Sequence, residues 1–276
     1  FMTTTLKTKK ANSSKLSSKS LLLSKNTSNQ RQIISPFVRR FLKRVQNTVA
    51  TYALWKPKES FIVAVSGGPD SLCLLDVLFL LSQKYDFTLH IVHVNYRLRG
   101  HDSLLDEQCV RERALVYDLP VTVFHPRKTT SSNLEEKLRD IRYHLLEKVR
   151  LQEKATSIAV AHHQDDQAET FLLRLLRGSG MRGLSAMRPK NSSIIRPLID
   201  ISRKDVLQYL KERAIHYRED TSNTDPRFLR NQIRHTLLPL LEKNYQPKMK
   251  KILADTASLL ASDYALLESL PPVIVK

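Results

Sequence analysis

The chain has 276 residues, 41% of them hydrophobic, enough for one large core or a core with a small satellite, and no apolar run is long enough to span a bilayer. With 45 Lys and Arg against 27 Asp and Glu, the formal net charge is +18, the balance of a protein whose partner is a polyanion, nucleic acid first. The two cysteines, Cys73 and Cys109, form no CxxC pair, so neither a disulfide framework nor a zinc or iron–sulfur site is indicated, and a reducing compartment is expected.

No acidic residue precedes Glu59. Residues 1–34 are rich in Ser, Thr, Lys and Asn without apolar periodicity and read as a disordered basic tail. The same composition suits an organelle transit peptide, so a cytoplasmic location stands beside a stromal or matrix one. From Pro36 to Leu54 the spacing predicts a helix with Phe37, Phe41, Val45, Val49 and Tyr52 on one face and Arg39, Arg40, Lys43 and Arg44 largely elsewhere.

Strand and helix patterns then alternate. Strands are predicted at 61–66, 88–94, 121–125 and 157–163, with a short fifth at 194–198. Helices are predicted at 70–83, 103–117, 132–153, 165–177 and 202–213. The expected fold is α/β, a Rossmann-like parallel five-stranded sheet with helices on both faces. After Asp220 only helical patterns remain. This gives a tail over 1–34, a catalytic domain over 35–220 and a small helical subdomain over 221–276. Ligands of such sheets lie beyond the carboxyl ends of the strands, which selects Ser66–Ser71, His93–Arg99, His125 and His162–Glu169.

The first of these turns reads AVSGGPDSLCLL over 64–75. Gly67 and Gly68 permit a tight turn and a ligand close to the main chain. Pro69 suits the first turn of a helix, whose free N–H groups favour phosphate, and Ser66 and Ser71 add hydroxyls. Asp70 repels phosphate unless it helps hold Mg2+ there or caps the helix. No lysine follows the glycines, so this is not the GxxxxGKS loop. The unliganded alternative is a glycine-rich strand-to-helix turn.

SGGPDS (66–71) resembles the SGGxDS loop of the N-type ATP pyrophosphatases, the PP-loop superfamily, whose fold is adenine nucleotide alpha hydrolase-like. Further blocks resemble one family within it, the tRNA(Ile)-lysidine synthetases: HVNYRLRG (93–100), EEKLRDIRY (135–143), AHHQDDQAETFLLRLLRGSGMRGLSAM (161–187), RPLIDISRKDV (196–206) and EDTSNTDPRFLRNQIRHTLLP (219–239). The resemblance covers roughly 37–240. The commonest family form has His-Gly where this chain has Tyr96-Arg97. The chain is also short for a family in which many members carry a further tRNA-binding domain.

The resemblance implies ATP and Mg2+ as cofactors, with Ser66, Gly67, Gly68, Pro69, Asp70 and Ser71 holding the nucleotide and Asp70 the metal. It implies free L-lysine and a tRNA(Ile) with a CAU anticodon as substrates. Lysine joins C2 of the wobble cytidine, position 34, through an adenylated intermediate, with AMP and pyrophosphate released. The catalytic set it implies is Asp70, His162, Asp166, Glu169 and Arg230. The lysine and tRNA set is His162, Asp166, Glu169, Arg139, Arg142, Arg177, Arg230 and Arg234. No membrane partner is expected, and a homodimer is left open. The alternatives are a PP-loop tRNA thiolase of the 2-thiocytidine type, for which Cys73 and Cys109 are badly placed, and a dead tRNA-binding module.

Read as residues alone, Asp166 and Glu169 are three apart on one helical face and together suit an ammonium group; capping by Asp165 with a first-turn acid is the structural alternative. His163 reads as structural or as a residue that supports the site from behind. Gly178 and Gly180 stop the preceding helix, leaving Arg177 and Arg182 for phosphate or for solvent. Glu135 and Arg139 are spaced for a surface ion pair. Arg230 and Arg234, one turn apart on a basic helix start, read as solvated; the resemblance implies instead an arginine reaching back to the reacting centre, to phosphate or to the target base. His93, His101 and His125 have no metal spacing.

Overall fold

The parallel strands are short apolar runs, and the crossover helices bury apolar side chains against the sheet they cover. The computed structural model of the protein describes residues 34–127, 134–218 and 228–270, with only the backbone at Glu135. The expected tail therefore lies, Ile34 aside, outside the described residues, as does the boundary expected near 220. Pro36–Lys276 forms one unit by its contacts.

Helix α1 (Pro36–Thr51) precedes β1 (Ser60–Ala64) and α2 (Pro69–Tyr85). Next come β2 (Thr88–Val94), α3 (His101–Tyr117), β3 (Val121–Phe124) and α4 (Leu134–Gln152). Then follow β4 (Ser157–Ala159), α5 (Gln164–Leu176), α6 (Met181–Leu184), β5 (Lys190–Asn191), β6 (Ile194–Ile195) and α7 (Arg203–Glu212). The chain continues through α8 (Leu229–Gln232), a π-helical turn (Ile233–Leu237), α9 (Leu238–Asn244) and α10 (Met249–Ser269). The π turn lies just ahead of Pro239, which cannot donate to the His235 carbonyl one turn back.

The strand order is β3-β2-β1-β4-β6-β5. Five strands run parallel, as the alternation predicts, and a sixth is added: the two-residue β5 pairs antiparallel with β6 at the edge. The fourth strand is shorter than predicted because it keeps its ladder only through Ala159, after which 160–163 turns toward α5.

On one face Ile62, Val92 and Ile158 pack with Leu146 and Val149 of α4. On the other, α2, α3 and α7 meet at Asp76, which is fully buried. It accepts from the Tyr117 hydroxyl at 2.6 Å, the Tyr209 hydroxyl at 2.5 Å, and Arg213 Nε and Nη2 at 2.9 and 3.1 Å. Burial and the Asp76 charge push both tyrosine hydroxyls well above their ordinary pKa. Helix α1 joins this layer: Phe41 stacks on Tyr209 at 4.4 Å, and Thr48 donates to Asp200 at 2.8 Å. Its buried stripe is Val38, Phe41, Val45, Thr48 and Val49, so Phe37 and Tyr52 of the expected face are only half-buried.

Helix α5 buries Ala168 and Leu172 against Ile233 and Leu238, and Phe171 against Ala257 of α10. Glycine is scarce, 6 in the chain, and helices α2 and α3 end instead in left-handed Asp86 and Asp118, at φ 53° and 51°. Gly178, at φ 72°, ends α5, as its position in the sequence predicts.

Candidate active site

The chain runs from β1 to its neighbour β2 in one direction and returns to β4 on the other side of β1, so a crevice opens where the strand order reverses. A cleft of about 740 Å³ lies there. Ser66, Gly68, Asp70, Ser71, Arg142, His162, Asp166 and Arg230 of the expected set line it, with Asn95, Tyr96, Arg99 and Asp106 opposite.

The glycine turn is built for close approach. Gly67 sits at φ +92°, and a Cβ there would stand 3.2 Å from the Asp106 carbonyl oxygen, so this position admits glycine alone without strain. Gly68 is the N-cap of α2 and no side chain caps the helix, leaving first-turn amides for an anion. Ser71 Oγ accepts from Ser66 N at 3.1 Å and donates to the Gly68 carbonyl at 2.9 Å, which fixes the loop. Asp70 does not cap. Its Oδ2 pairs with Arg203 at 2.9 Å, while its buried Oδ1 has no hydrogen-bond partner and lies 3.6 Å from His163 Nε2.

After β4 the helix is capped, but not by the residue of the structural alternative: His163, not Asp165, is the N-cap of α5. The amide of Asp166 approaches His163 Nδ1 at 3.3 Å, and Asp166 Oδ2 accepts from the His163 amide at 3.0 Å. An imidazole stands where the capping box ordinarily has a hydroxyl, and it accepts there only while Nδ1 is unprotonated. Asp165 instead accepts from the Arg203 amide at 2.9 Å and pairs with Lys250 at 3.1 Å. Burial lowers the His163 pKa, but Asp166 and Asp70 outweigh it and carry the value up to about 9. His163 thus bridges the glycine turn to α5. Its signal in the sequence was its place between the two loops, which a purely structural reading passes over.

Arg230 and Arg234 are not solvated. Arg230 reaches Glu169 at 2.9 Å and Asp166 at 3.2 Å; Arg234 reaches Glu169 at 2.5 Å and Asp166 at 3.3 Å. The carboxylates that the sequence sets aside for an ammonium are here filled by guanidinium. Asp166 and Arg230 face the cleft, with Glu169 and Arg234 behind them. Burial would raise the Asp166 pKa; His163, His162 and Arg230 lower it to about 2.

His162 is governed by Arg196, a residue one position past β6 that sequence reasoning did not single out. Arg196 Nε donates to His162 Nδ1 at 3.1 Å. Burial, together with Arg196, Arg139 and Arg230, pushes the His162 pKa down to about 3. The signal that could have found Arg196 is the rule used for the other loops, since it too stands at the carboxyl end of a parallel strand.

The remaining expected residues are dispersed. Arg139 and Arg142 lie over the Tyr143 ring at 5.4 and 5.7 Å; the Glu135 side chain lies outside the described residues. Arg177 and Arg182 are exposed beyond α5 and line no part of the cleft. Arg97 occupies the left-handed region at φ 55°. Beside it, Asn95 accepts from the Arg97 amide at 2.9 Å and Tyr96 donates to the Leu138 carbonyl at 2.6 Å. Cys73 is buried, its thiol pushed well up by burial.

Sheet order, glycine turn and the cleft at the switch point define a nucleotide-binding α/β protein. The PP-loop domain pattern matches residues 35–241, and the chain belongs to that family of ATP-binding proteins. It is 42% identical over 236 residues to a tRNA(Ile)-lysidine synthase of Geobacter sulfurreducens, covering 83% of this chain and 50% of that protein. It is 36% identical over 233 residues to one of Caldanaerobacter subterraneus, with coverage of 83% and 50%. The chain thus spans about half the length of the curated relatives it matches. A solved U34-tRNA thiolase, NcsA of Methanococcus maripaludis with its [4Fe-4S] cluster, is similar over 85% of this chain and 80% of that one, at TM-score 0.68 and 20% identity, which shows a shared fold. Among the described residues no helix is long and apolar enough to cross a membrane.

Proposed function

We propose that the protein forms lysidine on tRNA(Ile): it adenylates the C2 oxygen of the wobble cytidine with ATP and joins lysine at that carbon. The observation that carries this reading is the pairing of two loops across one cleft, a phosphate turn after β1 and a His162–Asp166 carboxylate turn after β4, in a chain whose curated relatives bear that name.

The C2 oxygen attacks the α-phosphorus of ATP, and the bond to pyrophosphate breaks. The lysine amine then attacks C2, loses a proton, and AMP leaves with the oxygen. The uncapped amides of α2 and the Ser66 hydroxyl take the phosphates, while Ser71, its proton on the Gly68 carbonyl, holds the loop in shape. Asp70 fits Mg2+, since one of its buried oxygens lacks a donor and one carboxylate with phosphate oxygens is a common magnesium set; the ion would neutralise phosphate charge. Arg142 and Arg230 line the cleft as cations for the tRNA backbone or the nucleotide. Lysine's positive amine competes with Arg230 and Arg234 for Asp166 and Glu169, so an anion that draws Arg230 away opens the carboxylates to it. We assign the amine's proton to Asp166 over Glu169, because Asp166 is the acid that lines the cleft.

Sulfur transfer has less support, because Cys73 is buried within α2 and Cys109 sits on the separate helix α3. The deciding experiment is incubation with ATP, lysine and tRNA(Ile), followed by mass analysis of the nucleosides. Lysidine is expected, and its absence from a tRNA that releases pyrophosphate would refute the reading. Asp70→Ala should abolish pyrophosphate release from a protein that still folds. Binding to tRNA should weaken steeply as salt rises.

A further inference from the structure

We propose that Arg196 is a positioning residue for the chemistry of the cleft: it holds His162 as a neutral imidazole with its one ring proton on Nε2, making His162 a hydrogen-bond donor and not a base. The proposal rests on the reading of the cleft as the reacting centre, but its test does not need the substrates.

The geometry is restrictive. A guanidinium nitrogen has protons to give and no lone pair to accept with. The 3.1 Å contact from Arg196 Nε therefore requires that His162 Nδ1 be unprotonated. The ring's proton must then lie on Nε2, on a residue that lines the cleft. Arg196 cannot easily turn away. It is 5% exposed, and its Nη1 donates to the Arg188 carbonyl at 2.8 Å. That partner is neutral, and no carboxylate pairs with Arg196 among the described residues. Its positive charge is thus felt by His162 undiminished.

The other groups facing the ring agree. Arg139 of α4 and Arg230 of α8 add positive charge, and Asp166 of α5 is the opposing carboxylate. A second proton on His162 would enter a site already rich in cations. So His162 cannot take the proton of an attacking amine: Nδ1 is occupied and Nε2 already carries its hydrogen. What it can do is donate from Nε2 to an oxygen that gains charge, a phosphate oxygen or the oxygen leaving C2. That separates the donor, His162, from the base, Asp166, in one turn of chain.

The test is 15N NMR of the full chain with labelled histidine, His162 being identified by loss of its signals in His162→Gln. The wild-type ring should show an unprotonated Nδ1 and a protonated Nε2, with no titration between pH 8 and pH 5. Arg196→Gln keeps an N–H for Nδ1 and removes the charge, so the tautomer should persist. Arg196→Met removes both; the ring should then populate both tautomers, and turnover should fall by about 10-fold, the worth of one charge-assisted bond. Wild-type titration of His162 between pH 5 and pH 8, or an unchanged tautomer in Arg196→Met, overturns the proposal. If Arg196→Met does not fold, the wild-type titration and Arg196→Gln decide. Failure to form lysidine would overturn the proposed function and leave the ring's state to be judged by the same spectra.

Discussion

Two acid–arginine clusters in this protein use the same chemistry to opposite ends. At Asp76 one carboxylate, fully buried on α2, takes two tyrosine hydroxyls and Arg213 from α3 and α7. Arg213 is only 13% exposed and the cluster touches no part of the cleft. At Asp166 and Glu169 two carboxylates take two arginines, but those guanidiniums are 31% and 28% exposed, and one acid and one arginine face the cleft. The first has every lone pair spoken for and nowhere for a ligand to compete. The second is closed on its buried side and open on the other. Burial alone does not mark a functional acid; a partner that can leave does.

The comparison can be broken most sharply at Asp76. Asp76→Ala leaves Arg213 and two hydroxyls buried without an acceptor, and should cost about 3–5 kcal/mol, read by denaturant unfolding, while the folded fraction releases pyrophosphate at the wild-type rate. Lost release from protein shown to be folded would make Asp76 part of the site and erase the contrast.

At the cleft the order should reverse. Arg230→Met should lower lysidine formation by roughly 100-fold, as expected where a charge acts on the reacting groups. Stability should fall by about 1–2 kcal/mol, since Arg234 still answers both acids. A large loss of stability with normal turnover would make this cluster a second structural pin.

Glu169→Gln sharpens the same point one layer back. We expect lysidine formation to fall about 10- to 100-fold, about 1.4 to 2.8 kcal/mol at the usual tenfold per 1.4 kcal/mol, with pyrophosphate release less affected. Equal loss of both steps would move Glu169 to the nucleotide.

The smallest effect is in pH. Asp166 is held at about 2 in the folded protein against 3.8 when free. A carboxyl with a lowered pKa contributes stability that is complete above its unfolded value and is lost as pH falls through the folded one. Unfolding monitored between pH 4 and pH 2 should therefore show a loss that Asp166→Asn does not share. An identical acid profile in the variant would count against the pairing with Arg230 and Arg234.

What the sequence determined by itself was everything local. Apolar runs and amphipathic periods specify the strands and crossover helices, because each buries a face set by its own repeat. The run of glycines and Pro69 specifies a tight turn at a helix start, and the carboxyl-end rule then locates the cleft. Tertiary structure alone decided which charges meet. Arg230 and Glu169 are separated by 61 residues, Arg213 and Asp76 by 137, Arg196 and His162 by 34; no periodicity links them. That Asp166 is a capping residue on one oxygen and an ion-pair partner on the other could not be read from spacing, because spacing fixes the face of a helix and not what is packed against it. The sixth strand was equally illegible: two residues of β5 pair only because β6 is already in place to receive them.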